Sequence, residues 1–102
     1  MKMKVPTELI QDRYWRGTLH LFSKQSKLQQ HFTTKYFDVA ECTIDSTGLK
    51  RISKSWSPSE RFMLALALHM YNDFNKVNMS DMDLLDDQNK NLVFEALRLR
   101  FS

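Results

Sequence analysis

The stretch SWSPSERFMLALALHMYN, residues Ser55–Asn72, decides the fold. Ser57 and Glu60 have the spacing of a capping box: the serine hydroxyl accepts from the third helical N–H and the glutamate reaches back to the serine N–H. Pro58 stands at the first helical position, where its missing donor costs nothing. From Phe62 to Tyr71 only His69 interrupts the apolar residues, and a helix that is apolar all round is buried all round. The stretch therefore predicts a central helix over about 58–72, with Leu64, Leu66, Ala67, Leu68 and Met70 inside. Position four of this helix is Arg61, not an apolar staple partner for Trp56, so Trp56 is expected to stack on the Arg61 stem or on Phe62.

Working outward, 102 residues suffice for one modest core, and a single domain over 1–102 is expected. Two glycines and two prolines are too few for the many turns of a sandwich or barrel, so the fold class is mainly α. The apolar run at Phe62–Tyr71 is too short to span a bilayer, and MKMKVPTELI is not followed by the apolar core of a signal peptide. A cytoplasmic location without membrane contact is expected. Cys42, the lone cysteine, reads as a small buried side chain.

Upstream, a helix is expected from Pro6 to Gln25, with Ile10, Tyr14, Gly17 and Leu21 on one face and Trp15, Leu19 and Phe22 widening it. Gly17 is the weak point, at about 1 kcal/mol relative to alanine, and invites close packing by another element. Residues 23–36 suit a weak helix or loop. The alternation in YFDVAECTID suggests a short β element near 37–45, ending at a turn-like DSTG. Leu49, Ile52 and Trp56 then recur at helical spacing. Downstream, Ser80 suits the cap of a short turn, and Asp86 or Asp87 that of a last helix carrying Leu92, Val93, Ala96, Leu97 and Phe101, although Leu97–Phe101 also alternates like a strand. Arg98 and Arg100 fall where cations complement a helix dipole.

The patterns that carry chemistry are mostly missing. An EF-hand loop begun at Asp81 places Leu85, Asp86 and Leu92 where an oxygen donor, glycine and glutamate are needed. His20, His31 and His69 have no partner four residues away, so no zinc pattern arises. Isolated Gly17 and Gly48 build no phosphate loop, and neither a serine elbow nor a catalytic-cysteine setting is present. No catalytic residue, metal or cofactor is expected, and His69 reads as a hydrogen-bonded core histidine.

Two binding readings remain. Twelve aromatics and six methionines exceed what so small a core requires, which points to a protein interface with Tyr14, Trp15, Tyr36 and Trp56 as its anchors. A homodimer seeded by an apolar helix is one form of it. Residues 1–54 hold ten Lys or Arg against five acids, and the alternative is sequence-blind nucleic-acid binding through Lys24, Lys27, Lys35, Lys50, Arg51 and Lys54, with His31 and Tyr36 interleaved. The Pro58 helix itself presents Met, Leu, Ala and Phe, which cannot read base edges.

Ile44, Asp45, Leu49, Ser53, Trp56, Ser57, Glu60, Arg61, Leu64, Leu66, Ala67, Tyr71 and Asn72, with the closing LDDQNKNLVFEALRLRF from Leu85 to Phe101, resemble a pattern of small proteins carried by phages and mobile elements of Gram-positive bacteria. That resemblance implies a small non-enzymatic interaction protein that binds and modulates a host or phage protein.

Overall fold

A computed structural model describes residues 4–102. Helices α1 (Thr7–Gln11), α2 (Arg13–Lys24) and α3 (Ser26–Gln29) lead into strands β1 (Phe37–Asp38) and β2 (Thr43–Ile44). Helix α4 (Ser46–Ile52), a 3-10 turn (Ser53–Ser55), α5 (Pro58–Tyr71), a second 3-10 segment (Met79–Leu84) and α6 (Asp87–Phe101) complete the chain. The protein is a small helical domain with one two-stranded antiparallel hairpin.

Helix α5 is the central buried helix that its sequence announces. Ser57 Oγ accepts from the Glu60 N–H at 3.3 Å, and Glu60 Oε1 accepts from the Ser57 N–H at 3.1 Å, completing the capping box. Phe62, Met63, Leu64, Leu66, Ala67, Leu68 and Met70 are all buried. Removing the hydroxyl in Ser57→Ala leaves one helical N–H without its acceptor, and urea melts should show a loss of about 1 kcal/mol. An unchanged midpoint would mean that this bond contributes nothing to the start of the helix.

The amino-terminal helix is broken, and at Asp12 rather than Gly17. The Asp12 carboxylate accepts from the N–H groups of Tyr14 at 2.8 Å and Trp15 at 3.3 Å. Its backbone is extended, with φ −76° and ψ 126°, so α1 stops and α2 starts on a new axis. The expected face is corrected accordingly: Leu9, Trp15, Thr18, Leu21 and Phe22 turn inward, while Ile10 and Tyr14 stay exposed. Gln25 repeats the device for α3, its Oε1 accepting from Lys27 N at 2.8 Å and Leu28 N at 2.9 Å.

Helix α2 joins α5 at the centre, lying between α5 and α6. Buried Thr18 donates its hydroxyl to the Ala67 carbonyl at 2.8 Å, tying α2 to α5. On the side of α6, a Cβ on Gly17 would stand 2.9 Å from the Ala96 carbonyl oxygen and 2.9 Å from the Met70 sulfur. Only a glycine lets the backbones approach that closely.

The stretch read as one β element is a hairpin. Phe37 pairs with Ile44 and Asp38 with Thr43, and Asp38 Oδ1 receives the Glu41 N–H at 3.0 Å across the turn. Cys42 lies in this turn with φ 58°, exposed, which corrects its expected burial: a turn residue cannot reach the core that a continuous strand would have faced. Asn78, not Ser80, caps the Met79–Leu84 segment, receiving the Ser80 N–H at 3.2 Å and hydroxyl at 2.7 Å. Asp86 caps α6 through the Asn89 N–H at 2.8 Å, and the alternation at Leu97–Phe101 resolves as helix.

Candidate functional site

Of the four aromatic anchors expected at an interface, the structure leaves one in the open. Trp15 keeps 4% of its surface exposed, packed edge-on to Tyr71 at 5.3 Å between ring centroids. Tyr36 and Trp56 are buried too, with 8% and 9% exposed, and all three are corrected to core positions. Trp56 stacks on neither expected partner but on His31, at 5.2 Å and 26° between planes, because the loop after α3 folds over the start of α5. Tyr14 remains, 43% exposed.

Around Tyr14 the fold builds a face that the sequence did not announce. The Asp12 cap fixes the first turn of α2 with Tyr14 outward, and the Gly17–Ala96 approach brings the last turn of α6 beside it. The Arg100 guanidinium lies 4.2 Å from the centroid of the Tyr14 ring and 4.5 Å from that of Phe101, and its Nε donates to the Met70 carbonyl at 3.3 Å. Arg13 donates to the Tyr14 hydroxyl at 3.2 Å from the outer side. Tyr14, His69, Asn72, Asp73, Arg100 and Phe101 line a cleft of about 350 Å³ here. Phe101 and Phe94, two turns apart on α6, are 68% and 57% exposed, and Phe74 beyond Asp73 is 88% exposed. The sequence signal for this face is the breadth of the apolar pattern on α6, which exceeds the stripe that Val93 and Ala96 bury.

The basic residues gather elsewhere. Lys27 Nζ sits 5.4 Å from the Trp56 ring, and Lys35 Nζ lies 5.5 Å from the ring of Tyr36, which meets His31 edge-on at 6.0 Å. Burial holds the His31 imidazole below its ordinary pKa, with the charges of Lys27 and Lys35 adding to the effect. Lys50, Arg51 and Lys54 line a shallow hollow with Thr47 on the outer side of α4 and the following turn, while Lys50 Nζ also donates to Asn75 Oδ1 at 2.6 Å. Lys24 is exposed in the last turn of α2. Among the described residues the one close contact between a basic and an acidic side chain is His20 to Glu95, at 2.9 Å, so none of these six cations has a carboxylate within 4.0 Å.

His20, which meets Glu95 at 2.9 Å, borders an apolar hollow of about 360 Å³ with Arg16, Ser23 and Phe32. The Ser23 hydroxyl donates to the His20 carbonyl at 3.0 Å, so its proton is directed at backbone and not at the imidazole, unlike a nucleophile paired with its base. His69, read as a core histidine, is half-buried, with Nδ1 2.9 Å from the Asn75 carbonyl oxygen. Among the described residues no three His, Cys, Asp or Glu side chains lie placed to hold a metal ion, and no helix is long and apolar enough to cross a membrane. No known family matches the chain, and neither a curated protein nor a solved structure matches it.

Proposed function

We propose that the chain is a small interaction protein that acts without turnover, and that it grips another protein through the face formed by Tyr14, Arg100 and Phe101, flanked by Phe94. One observation carries the proposal. Arg100 is clamped between two aromatic rings and a backbone carbonyl, with no carboxylate partner among the described residues. A guanidinium held in place has lost its rotamer entropy before any partner arrives, which lowers the cost of binding. Tyrosine and arginine are also the residue types that dominate interface hot spots.

The exposed Phe94 and Phe101 supply the apolar area that an interface buries and that a free surface carries at a cost in solubility. The resemblance to phage and mobile-element proteins suggests a host or phage protein in the cytoplasm as the partner, and a second copy of the chain is the other candidate.

Sedimentation and quantitative capture, run on the wild type and on Arg100→Ala/Phe101→Ser, test the proposal. The double variant should keep its thermal midpoint within a few degrees yet lose about 2 kcal/mol of affinity, roughly thirtyfold, because both side chains are outside the core. Binding left intact in the double variant would overturn the assignment of this face.

A further inference from the structure

We infer that a second surface, built on Lys27 and Lys35 around the His31–Trp56 stack and on Arg51 and Lys54 in the segment that leads to Trp56, binds the phosphate backbone of nucleic acid without reading its sequence. This surface is separate in residues from the Tyr14 face, so either proposal can fail alone.

The geometry supplies the parts. Trp56 and Tyr36 each carry a lysine ammonium near the ring, at 5.4 and 5.5 Å, which holds Lys27 and Lys35 at defined places on the surface. Lys54 stands two positions before Trp56, in the turn that follows α4, and shares a shallow hollow with Lys50 and Arg51 of α4. None of these cations has a carboxylate within 4.0 Å among the described residues, so their charge is free to displace counterions from phosphate.

The same geometry limits what can be recognised. Trp56 and Tyr36 are buried, and His31 covers a Trp56 face, so neither of these large rings offers a base an open face on which to stack. Contact is therefore with the backbone. Helix α4 turns Leu49 into the core and leaves Ile52 packed against it, so it has no free apolar face to insert among lipid chains; an anionic membrane fits poorly.

His31 adds a readout specific to this surface. It is packed against Tyr36 and Trp56, and desolvation together with the charges of nearby Lys27 and Lys35 disfavours its protonated form. Phosphates seated on Lys27 and Lys35 neutralise those two charges, so the imidazole binds its proton more readily in the complex than in the free protein. By linkage, affinity rises as pH falls from above the ordinary histidine range into it, and levels off above that range.

The probes are a random-sequence DNA duplex and vesicles of phosphatidylserine in phosphatidylcholine, titrated against the full chain at 50 and 200 mM salt and at pH 6.0 and 7.5. Four neutralised phosphates give a salt slope of about −3.6, a loss on the order of a hundredfold between the two salt concentrations, and the same affinity for any duplex sequence. Arg51→Gln/Lys54→Gln should reduce the slope by about 1.8 at unchanged thermal stability. The duplex should bind more tightly at pH 6.0, and His31→Gln should remove that gain while keeping the salt slope. Absence of duplex binding at 50 mM salt, a slope indifferent to the double substitution, dependence on DNA sequence, or binding to vesicles in preference to duplex would each overturn the proposal. A gain at pH 6.0 that survives His31→Gln would overturn the coupling.

Discussion

Trp15→Ala should unfold the protein at markedly lower urea, with a loss of about 3–5 kcal/mol, where Tyr14→Ala, one residue away, should stay within about 1 kcal/mol of the wild type. The contrast follows from the Asp12 cap. It starts α2 at an angle that sends Trp15 against Tyr71 and Phe37, at 5.3 and 6.5 Å between ring centroids, and leaves Tyr14 at the surface under Arg100. Deleting the indole removes its transfer free energy and leaves a cavity, which rigid neighbours on α5 and the hairpin cannot fill. Against a total stability of about 5–15 kcal/mol that loss is a large fraction. Equilibrium urea curves of both variants check it, and a Trp15→Ala midpoint close to the wild type's would show that the ring does not support the core.

Gly17→Ala should also destabilise, although alanine is the better helix former by about 1 kcal/mol. The new methyl meets the Ala96 carbonyl oxygen and the Met70 sulfur, each 2.9 Å from the Cβ position. Methionine can swing away. The carbonyl belongs to the backbone of α6, and moving it means moving the helix. Overpacking of this kind costs about 1–3 kcal/mol, so the net loss for alanine is small, whereas Gly17→Leu should lose 3 kcal/mol or more on the same scale. A second effect distinguishes this site from an ordinary core position. Displacing α6 carries Arg100 away from Tyr14, so quenching or chemical-shift changes at the Tyr14 ring should accompany the loss in both variants. Stabilisation by alanine would mean that the α2–α6 contact is looser than described.

Much of the candidate surface was illegible in the sequence. The basic residues could be named because charge is a local property, and the fold keeps Lys24, Lys35, Arg51 and Lys54 exposed as such residues usually are. The aromatic anchors could not, since a tryptophan serves equally well as core or hot spot and its type does not say which. Phe74 stands in a polar turn, where its neighbours in sequence give no sign that the ring is 88% exposed. Arg100 and Tyr14 lie near opposite ends of the chain, and nothing in the order of residues places one above the other.

By itself the sequence determined where the two long helices α5 and α6 begin. The Ser57–Glu60 box, Pro58 and the apolar run set α5, and Asp86 sets the start of α6, because each signal acts over three or four residues through hydrogen bonds that the chain makes with itself. Helical class followed from scarce turn residues and 3.6-residue periodicity, which are also local. Tertiary structure decided what depends on rotation and contact between elements. The turn at Asp12 chose Trp15 over Tyr14 for the core, the folding of the loop after α3 chose His31 over Arg61 as the partner of Trp56, and the hairpin put Cys42 outside. Such choices rest on which surfaces exclude water most completely together, a quantity summed over the whole chain and not written in any one stretch of it.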